Sequence, residues 1–217
     1  MPKKIKVLSS EDGYNLAAEL YDENEKYLNS FEQGELIPLL GGIAGKKVLD
    51  VGAGTGRLSV ALANRDAQVT ALDVSPKMLE KIKRKLQRRV SNDGTRRDFV
   101  KSKIQTVVGD AESLPFKNET FDIVSAAFLI VHLKDPTRFF DEVYRVLKDG
   151  GLFVVTNINQ KDPPLVKTKE GQIIIESYYH RPGKIKEILE SLAFNIEEEV
   201  FVKEKDLWVD QIILARK

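Results

Sequence analysis

Three glycines at alternating positions, Gly52, Gly54 and Gly56, follow a short apolar run of Val48, Leu49 and Val51 that only the carboxylate of Asp50 interrupts. Glycine tolerates positive φ and lets the backbone come close to a ligand. The free N–H groups where a helix begins near Arg57 offer a positive end to an anionic group. The spacing reads as a nucleotide-binding turn. Asp73 lies 17 residues after Gly56, at the expected end of a strand, where an acidic side chain accepts hydrogen bonds from both hydroxyls of a ribose. Asp110 ends the following strand. There it would accept from an adenine amine, with the Ala111 N–H donating to the adjacent ring nitrogen and Met78 packing on the base. Any one of these is as readily a helix cap or an ion-pair partner; the set after a triple-glycine turn is what carries meaning.

These residues need strands to bring them together, and the chain supplies the alternation. Strands are expected over residues 47–51, 68–73, 103–108, 121–127 and 152–156, with helices over 57–64, 76–90 and 136–147. Ser75 reads as an N-cap and Pro76 as a first helical residue. The rhythm is β then α, repeated. It implies an α/β fold with a Rossmann-like, seven-stranded sheet, parallel except for a C-terminal antiparallel edge hairpin, and helices on both faces. Before the sheet, helical spacing over 15–24, 25–31 and 33–40 forms a cap, and residues 1–12 read as polar and either frayed or lightly docked. After it come an apolar, β-branched run over 171–179, a helix over 182–192, and strands over 196–203 and 207–215. The 203–206 link is short enough for a hairpin. A single domain over 1–217 is expected, with a cap (1–45), a core (46–157) and a C-terminal wall (158–217). Ligands of open α/β sheets bind outside the carboxyl ends of the strands, so Gly52–Gly56, Asp73, Asp110 and residues 127–133 should share one crevice.

Composition narrows the function classes. With 217 residues and 42% apolar content the chain buries a full core, and a net charge of +1 gives no global field for nucleic acid or an anionic membrane. The absence of cysteine excludes disulfides, thiolate catalysis and zinc–thiolate sites. No stretch reaches the length of a membrane span, and the expectation is a cytoplasmic protein. Between Lys77 and Lys103 there are eleven Lys or Arg against three Asp or Glu. That basic face would track a phosphate backbone, but it lacks interleaved aromatics and reads more simply as a solvated helix.

The motifs resemble those of class I S-adenosylmethionine-dependent methyltransferases, in the broad branch that includes the ubiquinone and menaquinone methyltransferases. VLDVGAGTG resembles the family's first motif, VTALDVSPKML its ribose motif, VVGDAESLPF its adenine motif, FDIVSAAFLIVHL its fourth, and VYRVLKDGGLFVVTN the turn into the fifth strand. AAELYD resembles the helix that precedes the domain, whose tyrosine, here Tyr21, lies near the cofactor. The resemblance implies S-adenosylmethionine as cofactor, held by Tyr21, Asp50, Gly52, Ala53, Gly54, Gly56, Asp73, Val74, Met78, Asp110, Ala111 and Ala127. The residues agree. A dinucleotide fingerprint would want glycine where Arg57 stands, whereas Gly-x-Gly-x-Gly suits a ligand without phosphate. Asp50 would then face the ligand's amine, and the helix start its carboxylate.

Methyl transfer from a sulfonium is an in-line displacement that needs alignment and a dry site, with no metal. A neutral amine attacks unaided, whereas a phenol or alcohol is helped by a base. Only His132 and His180 could supply an imidazole. His132 falls at the rim of the methyl-donor pocket, where it shapes the pocket, bonds a backbone carbonyl or transfers a proton. Phe128, Tyr178, Tyr179 and Arg181 are the candidates for an acceptor wall, although the tyrosines read equally well as packing residues. The expected reaction is methylation of a small molecule at oxygen, nitrogen or carbon. The alternatives are an RNA (tRNA) or protein methyltransferase using the basic 77–103 face, and a non-catalytic S-adenosylmethionine-binding protein.

Overall fold

The computed structural model describes residues 5–24, 32, 34–88 and 103–217. Its centre is a seven-stranded sheet in the order β4-β3-β2-β5-β6-β10-β9. The strands are β2 (Lys47–Val51), β3 (Gln68–Asp73), β4 (Ile104–Val108), β5 (Phe121–Ala126), β6 (Leu147–Ile158), β9 (Asn195–Glu204) and β10 (Leu207–Arg216). Pairings from β4 through β6 are parallel; β10 runs antiparallel to both β6 and β9. The expected sheet, edge hairpin included, is what the chain forms.

The inner strands β2, β3, β5, β6 and β10 are buried on both sides, and successive residues serve opposite layers. Leu49, Val124, Phe153 and Ile213 face a cluster with Phe139, Phe140, Val143 and Val146 of α5 (Thr137–Val146) and Ile185 and Leu189 of α6 (Pro182–Ser191). Their neighbours Val48, Ile123, Val154 and Ile212 face the other layer, with Leu36 of α2 (Leu36–Leu39) and Leu58 and Leu62 of α3 (Arg57–Ala63). Fully burying one such side chain is worth about 2 kcal/mol, so the two-sided alternation pins the register. The helix α4 (Pro76–Arg88) starts as expected, with the Met78 N–H donating to Ser75 Oγ at 3.2 Å.

The sequence reading departs from the structure mainly at the N-terminus. The polar residues read as frayed or lightly docked include a docked strand, β1 (Lys6–Leu8), and α1 (Ser10–Ala17) starts five residues before the expected 15–24 helix because Ser9 Oγ accepts from the Asp12 N–H at 3.2 Å. The expected 33–40 helix shrinks to α2, and the expected 25–31 helix lies outside the described residues. The apolar run at 171–179 forms β8 (Gly171–Ile175), which pairs with β7 (Leu165–Thr168) and, in parallel, with β1 in a separate three-stranded sheet. Nothing local marks so short a strand as β1; its partner lies more than 160 residues away. The β-then-α rhythm also lapses once, since residues 109–120 join β4 to β5 without a helix.

That helix-free loop is held by one guanidinium. Arg145 of α5 donates to the carbonyls of Leu114 (3.0 Å) and Phe116 (2.7 Å) and to both carboxylate oxygens of Glu142, while Glu142 Oε2 accepts from the Leu114 N–H at 2.6 Å. Arg145→Ala strands these carbonyls and should cost about 1–3 kcal/mol in a thermal or urea melt. Amide exchange should accelerate at Leu114 in particular; protection unchanged there would show that the loop holds itself.

Candidate active site

The glycine turn joins β2 to α3 through backbone that only glycine adopts easily: φ is +54° at Gly54 and +86° at Gly56. The two serve different ends. A Cβ on Gly56 would stand 2.8 Å from Ile82 Cγ1, so this glycine lets α3 close on α4 and lines neither of the two cavities beside the turn. A Cβ on Gly54 would project into open space, with a ring carbon of Tyr21 the nearest atom at 3.9 Å. Asp73 fixes the turn from the end of β3. Its Oδ2 accepts from the Gly54 N–H at 2.7 Å and its Oδ1 from the Ser75 N–H at 2.8 Å. Burial pushes its carboxyl up from the ordinary range, and the two N–H donors pull it back.

A cavity of about 310 Å³ opens at the carboxyl ends of β2 to β5. Gly52, Gly54, Asp73, Val74, Met78, Asp110, Ala111, Ala127 and Tyr21 all line it, as do Phe128 and His132. A second space of about 40 Å³ adjoins it through Tyr21, Gly52, Ala127 and Phe128, and adds Asp50, Ala53 and Arg57. The crevice expected from the strand ends is thus formed, and of the proposed cofactor residues only Gly56 stands outside it. Asp50 is fully buried, its carboxylate accepting from Ser59 Oγ at 2.5 Å and Ser125 Oγ at 3.0 Å. Burial raises it to about 6 despite those bonds. Arg57 forms a bidentate pair with Glu32, at 2.8 and 2.7 Å, and its guanidinium lies 5.8 Å from the centre of the Phe128 ring. Phe128 itself has φ of +59°, a conformation costly for a bulky residue, and its N–H is held by Thr156 Oγ1 at 2.9 Å.

The two histidines part company. His132 lines the cavity; its Nδ1 lies 2.8 Å from the Glu176 carbonyl and its Nε2 lies 2.6 Å from the Tyr14 hydroxyl. Burial holds its imidazole below the ordinary range. His180 is buried away from the cavity, its Nε2 2.9 Å from the carbonyls of both Ile130 and Leu133. A nitrogen so placed donates to main chain and takes no proton from a ligand, so His180 steadies the turn that carries His132. Tyr178, Tyr179 and Arg181 line neither cavity. The Tyr178 N–H donates to the Val131 carbonyl at 2.7 Å, and the Arg181 carbonyl caps the start of α6.

The outer wall is built instead from α1 and the residue before it: Ser9, Ser10, Glu11 and Tyr14. The sequence reading missed Tyr14, because the helix was expected to start at residue 15; the seven-residue spacing to Tyr21 is the signal that could have marked it. The rings meet edge to face with centroids 5.7 Å apart. Burial, then the charge of Asp73, pushes Tyr21 up to about 12, and burial raises Tyr14 well above its usual range, so both stay neutral phenols. On α4, Lys81 pairs with Glu19, Arg84 with Glu19 and Glu80, and Lys85 with Asp22 and the Thr55 carbonyl. These bonds tie α4 to the N-terminal cap; residues 89–102 of the basic stretch lie outside the described residues.

An S-adenosyl amino acid fits these residues. Asp73 would offer its carboxylate to a ribose, Leu72, Val74 and Met78 an apolar lining to a base beside Asp110, and Arg57 in the smaller space a guanidinium to a ligand carboxylate. The open face of Gly54 leaves room between them. Residues 49–155 match a family described as a methyltransferase domain. A demethylmenaquinone methyltransferase of Clavibacter sepedonicus is 37% identical over 125 residues, which is 58% of this chain and 46% of that protein. The chain spans about half the length of the curated relatives it matches. An S-adenosylmethionine-dependent methyltransferase of Aquifex aeolicus shares the fold at a TM-score of 0.68 and 19% identity, covering 92% of this chain and 97% of that one. So does the magnesium protoporphyrin IX methyltransferase of Synechocystis PCC 6803 with bound S-adenosylmethionine, at 0.61 and 19%, covering 92% and 79%. Both solved structures share its fold, and by its matched domain over residues 49–155 and its motifs in their places at the strand ends the chain belongs to the class I S-adenosylmethionine-dependent methyltransferases, in the broad branch that includes the ubiquinone and menaquinone methyltransferases.

Proposed function

We propose that this chain transfers a methyl group from S-adenosylmethionine to a small, largely apolar aromatic acceptor of the quinol kind. The observation that carries the reading is the joined pair of cavities, with Asp73 at one end and the Arg57–Glu32 pair beside Asp50 at the other. When bound there, S-adenosylmethionine supplies a methyl on a positively charged sulfur, open to in-line displacement.

The chain's own residues bind, orient and dry the site. Asp73 keeps lone pairs free beyond its two backbone bonds and holds the ribose hydroxyls; Asp110 and Ala111 address the base. Arg57, Tyr21 and the turn at Gly52 and Ala53 hold the amino acid end. Phe128, Leu129 and Leu133 with Tyr14 give the remaining wall an aromatic and apolar character suited to a flat ring. The names of relatives support that acceptor class, among them the demethylmenaquinone enzyme and a rice 2-methyl-6-phytyl-1,4-hydroquinone methyltransferase. The ion pairs that occupy Lys81, Arg84 and Lys85 favour a small molecule over nucleic acid.

Two measurements check this. Asp73→Ala should weaken S-adenosylhomocysteine at least about tenfold in calorimetry, roughly 1.4 kcal/mol, since it removes the acceptor and loosens the turn. Unchanged affinity would end the ribose assignment. Labelled methyl from S-adenosylmethionine, offered with a cell extract, should appear in the low-mass fraction; label confined to RNA or protein would overturn the acceptor class.

A further inference from the structure

Tyr14 and His132 come from opposite ends of the cavity wall's sequence, yet their contact is fixed from every side. A carbonyl only accepts, so His132 Nδ1 must carry the proton it gives to the Glu176 carbonyl at 2.8 Å, and Nε2 is left bare. The Tyr14 hydroxyl, 2.6 Å away, is then the donor to Nε2. The Glu176 N–H in turn donates to the Leu8 carbonyl at 2.9 Å, which joins the His132 anchor to β1 just ahead of α1. Gly13 lies so close to Ile175 that a Cβ would stand 2.6 Å from it, so α1 cannot shift on β8. From the other side, Tyr178 and His180 hold the backbone around His132.

We propose that Tyr14 and His132 form a proton relay, with Tyr14 touching the acceptor, and hence that the acceptor is a hydroxyl-bearing aromatic that must ionise in order to react. This rests on the methyltransferase reading above and narrows its acceptor to phenols and quinols, excluding neutral amines. The step balances. The acceptor's O–H bond breaks and its proton passes to Tyr14 Oη. The Tyr14 proton passes to His132 Nε2, which becomes imidazolium. The resulting oxyanion takes the methyl at oxygen, or at a ring carbon whose proton then moves to the oxygen to restore the phenol. One positive charge arrives with the methyl donor and one remains on the imidazolium, to be lost to solvent. Neither partner does this alone: Tyr14 is too poor an acid to ionise, and the lone pair of Nε2 is taken by the Tyr14 hydroxyl. A neutral imidazole is the state the relay needs, and burial favours it.

The test uses the full chain and two conservative variants, Tyr14→Phe and His132→Asn. The first probe is 4-nitrophenol, whose absorbance reports ionisation, added to protein saturated with S-adenosylhomocysteine. The wild type should bind it and ionise it at a pH below that of the free phenol, and both variants should lose the shift while binding S-adenosylhomocysteine within about twofold of wild type. The second is kcat over a series of phenols. Tyr14→Phe should lower it about 100-fold for a weakly acidic phenol and by less than about threefold for one already ionised at the assay pH, in keeping with general-base catalysis. An unshifted 4-nitrophenol in the wild type, or a Tyr14→Phe loss that ignores acceptor acidity, overturns the relay even where methyl transfer stands. The absorbance arm decides the relay even where no transfer is found.

Discussion

Asp73 holds together two elements that the chain's connectivity leaves apart. The glycine turn after β2 and the start of α4 after β3 are linked covalently only through twenty residues of helix and strand, and a turn of three positive-φ glycines has little rigidity of its own. One carboxylate accepting from the Gly54 and Ser75 N–H groups fixes both at once. The same group lines the cavity, so the carboxylate that orders the turn also faces the open space. Charged acceptors of backbone N–H groups are worth about twice a neutral bond, which accounts for an ionised group surviving such burial.

Around that fixed turn the wall is assembled from segments distant in sequence. The loop bearing Asp110 is short of regular structure and takes its shape from Arg145 on α5. The outer wall, α1, is docked by strand pairing of β1 on β8 and by helix packing on α4, where Ser75 Oγ donates to Asn15 Oδ1 at 2.7 Å. The β7–β8 hairpin therefore acts as a bracket between the N-terminal segment and the turn after β5, and the methyl-acceptor side of the cavity depends on the C-terminal third of the chain through main-chain bonds.

This explains which parts could be read from sequence. The sheet and the cofactor side were legible because each rests on a local pattern: two-sided apolar strands, a glycine turn, carboxylates at strand ends. Asp73 and Asp110 lie where strand geometry puts them. The acceptor side was not, because its residues are placed by pairings with no local signature. β1 is three residues of ordinary composition, and Tyr178 and Tyr179, aromatic and close to the site in sequence, point elsewhere because the backbone there is committed to Val131. Histidine was the hardest type: His132 and His180 look alike in sequence, and only the carbonyls around them tell a base from a brace.

The departures from ordinary packing gather on the same side of the sheet. Phe128 keeps a strained φ; Asp50 is buried to the point of titrating near 6; Asp210, level with Ile158 at the end of β6, is fully buried. Burial, then repulsion from Glu32, drives the Asp210 carboxyl well above its usual range, against the backbone N–H groups of Gln211 and Asn157 and the charge of Arg57. Arg57 thus faces several carboxyl groups, of which its bidentate bonds neutralise Glu32. A carboxyl that burial drives toward its neutral form regains its charge when a cation comes within reach. Burying such carboxyls is a costly arrangement for an apoprotein and a favourable one for a ligand that brings an ammonium and a sulfonium into the same low-dielectric space. The stability forgone at these positions is the electrostatic counterpart of a cationic methyl donor.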